Sequence, residues 1–132
     1  MTDERYDAGM QVRREVLGDE YVAQATARAT RMTRPFQEYI TRNAWGDVWT
    51  REGLDRRTRS CLTLALLAAL GHEAELALHV RAAVRNGLDA DDIAEVLLHT
   101  AVYAGVPAAN AAMAVAQRTL ADMGLAAALS DD

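Results

Sequence analysis

The sequence predicts an all-α protein of about six to seven helices, and three observations lead to that prediction. Alanine, the best helix former, makes up about a fifth of the chain, and runs of β-branched residues are missing. Glycines follow stretches of helical periodicity, where a residue just past a helix end is expected. Those glycines are Gly18, Gly71, Gly87, Gly105 and Gly124.

Taken in order, the helices are expected over residues 3–17, 19–31, 35–49, 55–70, 72–86, 89–104 and 107–123. Asp55 and Asp89 are expected N-caps, because an aspartate side chain accepts a hydrogen bond from the open N–H groups of the first turn. Pro35 and Pro107 are expected in the first turn of their helices, because N–H groups there have no acceptor within the helix and proline lacks this group. The tail after Gly124 is expected to fray.

Length and charge set the class of protein. The 132 residues predict a single domain over 1–132, since no linker, repeat or low-complexity segment divides them. The formal net charge is −5, which disfavours nucleic acid as a partner. The longest apolar stretch, Cys61 to Leu70, is about half of what a bilayer requires, and the first residues lack a secretory signal. We therefore expect no membrane partner and a cytoplasmic protein.

Two absences from the sequence restrict the chemistry. Cys61 is the single cysteine, so an intrachain disulfide, a Cys-x-x-Cys pair and a multi-cysteine zinc site are excluded. All 14 basic residues are arginine, and arginine cannot form a Schiff base. Lysine-imine chemistry and covalent pyridoxal phosphate are therefore excluded.

Several predicted helices have more apolar surface than a small monomer needs. Helix 55–70 is apolar on all sides from Cys61 onward, apart from Thr63, which predicts a central position in the core. Helices 89–104 and 107–123 carry small apolar residues that allow close packing. We expect the surplus apolar faces to be buried in a homo-oligomer.

Glu75 and His79 are the leading catalytic candidates. They stand one turn apart on helix 72–86, where a carboxylate can orient an imidazole and raise its pKa. A histidine treated in this way stays protonated as a general acid near neutral pH. The alternative is a solvated polar stripe, with an incidental ion pair, through His72, Glu75, His79, Ala82 and Asn86.

The histidines do not predict a metal site. His72 and His79 are seven residues apart, a rise of roughly 10 Å, and cannot share one ion. Glu95 and His99, like Glu75 and His79, are spaced i,i+4, whereas di-iron bundles use Glu-x-x-His at i,i+3. We expect no metal.

Arginines cluster before and after the apolar helix, and arginine binds carboxylates bidentately. Arg51 and Arg59 are candidates to receive a small anionic substrate, and surface salt bridges to Asp47, Glu52 and Asp55 are the alternative. Four other residues are candidates for substrate binding. Two are tryptophans one turn apart, and two lie around the Gly-Val-Pro turn, where the free N–H groups of a helix start can contact an anion. They are Trp45, Trp49, Tyr103 and Asn110.

These stretches resemble the carboxymuconolactone decarboxylase family of the AhpD-like superfamily, over about residues 4–120. The specific motifs are Trp45-Gly46-x-x-Trp49-Thr50-Arg51 and Asp55-Arg56-Arg57-Thr58-Arg59-Ser60, and Gly105-Val106-Pro107-Ala108-Ala109-Asn110 is shared more widely. His72, Glu73 and Tyr21 depart from the family pattern. Aligning the conserved histidine of AhpD-like peroxidases with His79 puts their two cysteines at His72 and Glu75, so the disulfide chemistry is lost.

The resemblance implies a compact AhpD-like helical fold, assembled as a homo-oligomer, with a hexamer expected. It also implies a carboxy-lyase that converts 4-carboxymuconolactone, a small dianionic lactone, to 3-oxoadipate enol-lactone and CO2 in the protocatechuate branch of the β-ketoadipate pathway. No cofactor is implied, because the substrate supplies its own electron sink. Two alternatives are a related lactone decarboxylase or isomerase, and a non-catalytic helical oligomer that binds small anions.

Overall fold

The computed structural model describes residues 3–131, and within them the chain is helical with no β-strand. The all-α prediction is confirmed. A π-helix at Thr41–Gly46 follows the third α-helix, and a short 310 helix at Ala126–Leu129 follows the last. In order, the α-helices are α1 (Glu4–Leu17), α2 (Asp19–Ala27), α3 (Arg34–Ile40), α4 (Arg56–Leu70), α5 (Glu73–Arg85), α6 (Ala90–Ala104) and α7 (Val106–Asp122).

The chain divides into two compact units. The first unit runs up to Asp55 and holds α1, α2, α3 and the π-helix. The second unit begins at Arg56 and holds α4 to α7. One domain over 1–132 stays a prediction. None of the helices in residues 3–131 has both the length and the apolar character that a membrane span requires.

The helix ends follow the expected signals. All five glycines that were expected just past helix ends have positive φ, between 76° and 99°. Asp89 caps α6 in a reciprocal arrangement. Its carboxylate accepts from the Asp92 N–H at 2.8 Å, and its own N–H donates to the Asp92 carboxylate at 3.0 Å. Local sequence therefore determines where these helices begin and end.

Two helices end earlier than the sequence predicts. α2 stops at Ala27 instead of residue 31, because the N–H of Thr30 donates to the Thr33 hydroxyl and the N–H of Thr33 to the Thr30 hydroxyl. These side-chain bonds replace helical backbone bonds. The helix expected over 35–49 is α-helical only to Ile40 and then widens into the π-helix. The tail after Gly124, which was expected to fray, contains the 310 helix at Ala126–Leu129.

The first unit is built around a close crossing of α1 and the π-helix. The buried face of α1 carries Gly9, Val12, Arg13, Val16 and Leu17. A Cβ placed on Gly9 would lie 2.8 Å from the backbone nitrogen of Gly46, and closer still to the Thr41 carbonyl oxygen. The two backbones can therefore approach only because residue 9 has no side chain.

Ion pairs flank this crossing on the surface of the first unit. The Arg5 guanidinium donates to the Asp47 carboxylate at 2.6 Å, and Arg42 donates to Asp3 at 2.5 Å. All four side chains are substantially exposed, so each pair contributes little to the free energy of unfolding.

The second unit encloses an apolar core between α4, α5, α6 and α7. Its fully buried members include Leu64, Leu76, Val80, Ile93 and Leu97. α4 is not central in this core, contrary to the expectation from its composition. Only one of its faces is buried, and its other face exposes Leu62, Leu66 and Leu70 at 48%, 61% and 66%.

The glycine crossing gives the first prediction. Gly9→Ala should lower the free energy of unfolding by about 1–3 kcal/mol, because the methyl group meets backbone atoms that cannot rotate away. Helix propensity alone would predict the opposite, an increase of about 1 kcal/mol in the free energy of unfolding. The measurement is chemical or thermal unfolding.

Gly53→Ala is the matched control for that measurement. A Cβ at Gly53 meets nothing within 4 Å, and Gly53 belongs to the same unit. Equal stability of Gly9→Ala and Gly53→Ala would show that the crossing tolerates a side chain.

Candidate active site

His79 lies on α5, on the stripe that the sequence singled out, and the burial along that stripe changes with position. Glu75 is exposed, His79 is half-buried, and Ala82 is fully buried. At the far end the Asn86 side-chain amide donates to the Ser60 hydroxyl of α4 at 2.8 Å. The alternative of a solvated polar stripe therefore fits His72 and Glu75, whereas His79 and Asn86 are half-buried and Ala82 is removed from water.

Burial also reverses the expected electrostatics of His79. Loss of solvent lowers the pKa of the imidazole from 6.5 to about 4, and the Glu75 carboxylate raises it by less than burial lowers it. The expectation of a raised pKa is wrong for the protein without substrate. A pKa near 4 leaves His79 neutral at pH 7.

The candidate arginines occupy different environments. Arg59 is half-buried in the first turn of α4, beside the buried Ser60. Arg51 belongs to the first unit, where its side chain is exposed and its backbone N–H donates to the Val48 carbonyl at 3.1 Å. Arg57 pairs with the Asp92 carboxylate at 2.8 Å, so surface ion pairing accounts for one member of the cluster.

Trp45 and Trp49 lie together in the first unit. Their ring centroids are 5.1 Å apart and the ring planes are tilted by 33°. Trp45 is buried in the π-helix, and Trp49 is half-buried in the turn that follows. The pair places a large aromatic surface immediately before Arg51.

Tyr103 and Asn110 lie in the second unit. The Tyr103 ring is 81% exposed and stacks on His99, with 5.1 Å between the centroids. Tyr103, His99 and Leu66 help to line an open apolar depression of about 470 Å³. Asn110 is exposed on the second turn of α7, beyond the open N–H groups of the helix start.

The structure brings some of the candidate residues into contact, and the roles of all eight stay predictions. Glu75 interacts electrostatically with His79, and Trp45 contacts Trp49. His99 and Tyr103 were not expected to touch, although their i,i+4 spacing on one helix predicts the contact. Catalysis by His79 and Glu75 stays a prediction. The same holds for substrate binding by the six other candidates, which are Arg51, Arg59, Trp45, Trp49, Tyr103 and Asn110.

Acidic, histidine and cysteine side chains do not cluster in the described part of the chain. Between residues 3 and 131, no group of three or more of them lies close enough together to hold a metal ion.

Comparison with known proteins adds to this geometry. The sequence model of the Carboxymuconolactone decarboxylase family matches residues 34–118. A 4-carboxymuconolactone decarboxylase from Acinetobacter baylyi is 47% identical over 127 residues, which cover 96% of this chain and 95% of that protein. A nitrosuccinic acid decarboxylase from Metarhizium robertsii is 51% identical over 118 residues, or 89% of this chain and 82% of the relative.

A shorter sequence, a 4-carboxymuconolactone decarboxylase from Pseudomonas putida, is 54% identical over 44 residues, which cover 33% of this chain and 92% of the relative. The family match includes the π-helix, both tryptophans and the α5 stripe that carries His79. The chain therefore belongs to the carboxymuconolactone decarboxylase family.

Proposed function

We propose that this protein is a carboxy-lyase that converts 4-carboxymuconolactone to 3-oxoadipate enol-lactone and CO2, a step of the protocatechuate branch of the β-ketoadipate pathway. The observation that supports the proposal is the similarity, along nearly the whole chain, to a 4-carboxymuconolactone decarboxylase at 47% identity. The single cysteine and the absence of lysine agree with a reaction that needs neither a thiol pair nor an imine.

The chemistry of this substrate explains why no cofactor is proposed. The carboxylate that leaves is attached to the γ-carbon of an unsaturated lactone. When CO2 departs, the electron pair spreads through the double bond to the lactone carbonyl and forms a dienolate. The protein has to bind a dianion, stabilise the developing oxyanion and deliver a proton to the α-carbon.

His79 is the proposed proton donor, and because burial keeps its imidazole neutral, it becomes charged only when substrate is bound. The free imidazole is neutral at pH 7, because its pKa is about 4. A bound dianion favours the protonated form, so His79 takes up a proton when substrate binds. Glu75 supports that charge from one turn away. The imidazolium then gives its proton to the dienolate and returns to the neutral form that burial favours.

Other residues are proposed to hold the substrate. Arg51 and Arg59 would bind its carboxylates through their planar guanidinium groups. The remaining proposed contacts come from aromatic and amide side chains. They are Trp45, Trp49, Tyr103 and Asn110.

A second candidate function follows from the nitrosuccinic acid decarboxylase relative, whose identity to this chain is 51%. Nitrosuccinate is also a dicarboxylate with an internal electron sink. Loss of the carboxylate beside the nitro group leaves a nitronate, which accepts a proton at carbon. The same proton donor and the same cationic site serve both reactions, so the shape of the pocket has to select between them.

The oligomeric form is also part of the proposal. Leu62, Leu66 and Leu70 form an exposed apolar row on α4, and Val102 and Val106 are more than 70% exposed beside the turn between α6 and α7. Contact with further copies of the chain would remove these side chains from water. We propose a homo-oligomer, a hexamer, located in the cytoplasm where its substrate is consumed.

The first test is turnover of the two substrates by protein that has been treated with a chelator and supplied with no cofactor. We expect loss of 4-carboxymuconolactone, followed by ultraviolet absorbance, with a higher kcat/KM than for nitrosuccinate. The reverse order would favour the second candidate. Binding without turnover of either substrate would favour the non-catalytic anion-binding oligomer.

His79→Gln tests the proton donor. The change keeps the size and hydrogen bonding of the side chain but abolishes proton transfer, so kcat should fall about 10²–10⁴-fold. His72→Gln is the matched control, since His72 is exposed at the N-cap of the same helix and has no proposed role. Near wild-type turnover of a correctly assembled His79→Gln protein would remove His79 from the mechanism.

The same two variants test the burial of His79 without substrate. The unfolded chain binds the imidazole proton below a pKa of 6.5, whereas the folded chain binds it only below about 4. Between these values the unfolded state holds more protons, so wild-type stability falls as pH falls from 6.5 to 4. His79→Gln should show a smaller decrease of Tm over this window, and His72→Gln the full decrease. Parallel slopes for all three proteins would contradict the assigned burial.

Light scattering tests the assembly. We expect a mass near six times the 14.4 kDa of one chain at micromolar concentration. A mass near 14.4 kDa would mean that the exposed apolar row remains in contact with water.

A further inference from the structure

The first unit contains a buried positive charge that the proposed reaction does not use. Arg13 is only 4% exposed. It lies on the buried face of α1, whose other buried residues are Gly9 and three apolar side chains. Its Nη1 donates to the Thr41 hydroxyl at 3.2 Å and its Nη2 to the Gln37 side-chain oxygen at 2.8 Å. Both acceptors are neutral.

The hydrogen-bonding capacity of this guanidinium is only partly used. It carries five N–H groups, and its Nε has no acceptor among the described residues. The groups that support its charge electrostatically are the phenols of Tyr6 and Tyr21, and no carboxylate of residues 3–131 is among them. Phenols are uncharged at neutral pH. Burial lowers the pKa of Arg13, but an arginine stays protonated at neutral pH.

A cavity adjoins this charge. Its volume is about 190 Å³, the space of roughly six water molecules, and it opens to solvent within the first unit. Two of its charged lining residues are arginines, Arg13 and Arg34, and one is an acid, Glu38. Glu38 also lies 4.0 Å from the Arg42 guanidinium, outside this lining set. The balance of charge around the cavity is therefore positive.

We propose that this cavity is a binding site for a small carboxylate anion, with Arg13 and Arg34 as the cationic groups that receive it. A buried charge with only neutral partners is costly, and an anion in the cavity would offset that cost. The rings and methylene groups of Tyr6 and Met10 line the same space and suit a short apolar body attached to the carboxylate. The site lies in the first unit, whereas His79 belongs to the second.

The probe for this site is benzoate, and the isosteric neutral amide, benzamide, is its control. Benzoate should bind with a dissociation constant in the millimolar range by calorimetry and should raise the Tm, since a ligand that binds only the folded state stabilises it. Benzamide should do neither. Neither measurement depends on turnover, so failure of this proposal and failure of the proposed decarboxylation are distinguishable.

A pair of arginine variants locates the binding. Arg34→Gln should weaken benzoate binding about three- to tenfold, which corresponds to the loss of one partly solvated charge contact. Arg31→Gln makes the same change of charge three residues earlier, on an exposed side chain outside the lining of the cavity, and should leave the affinity within about twofold. Glu38→Gln should tighten binding, because it removes the one acidic lining residue.

Arg13→Met replaces the buried charge with an apolar chain of similar length and should abolish the benzoate response. If that variant does not fold, the series at Arg34, Arg31 and Glu38 still decides the question. The proposal is overturned if benzoate does not bind, or if Arg34→Gln and Arg31→Gln have equal effects. If benzoate does not bind and Arg34→Gln also lowers the mass of the oligomer, an acidic side chain of a second copy occupies the cavity in place of the proposed anion.

Discussion

The candidate site depends on the packing of α5 against the buried face of α4. The hydrogen bond from Asn86 to Ser60 ties the end of α5 to the start of α4, so the two helices run antiparallel. Ala82 of α5 and Leu64 of α4 are fully buried. His79 stands one turn before Ala82, at the border between the exposed and covered parts of the stripe. This position, rather than the neighbouring carboxylate, determines the protonation state of the imidazole.

Much of the fold was predictable because its signals are local. Five glycines with positive φ and the reciprocal cap between Asp89 and Asp92 are properties of short segments, and they define most helix ends to within one or two residues. The π-helix was not predictable in this way. It lies at the crossing of Gly9 and Gly46, which joins segments more than thirty residues apart in the sequence, and local signals do not contain such a contact.

The sequence predicts that Glu75 and His79 interact, but it does not predict the direction of the pKa shift of His79. The spacing of Glu75 and His79 predicts their interaction correctly, and the structure retains it. The sign of the net pKa shift depends on how much solvent the fold removes from His79, and no spacing rule contains that quantity. Arg13 is the converse case. It interrupts the apolar face of α1 between Val12 and Val16, and this interruption is the sequence signal of a buried cation.

His79 and Arg13 illustrate one physical rule in two forms. Burial keeps His79 neutral, because an imidazole pKa lies close enough to 7 for desolvation to move it below neutrality. Burial does not neutralise Arg13 at pH 7, because the pKa of a guanidinium lies far above neutrality. The proposed ligands of both regions carry carboxylates, which would favour the positively charged form of either side chain. The formal net charge of −5 opposes such an anion at long range, but at physiological ionic strength that repulsion is screened beyond about 8 Å. Local cationic groups in poorly solvated positions are screened far less. A net negative charge on the whole protein is therefore compatible with the binding of a small anion beside a buried basic group such as Arg13.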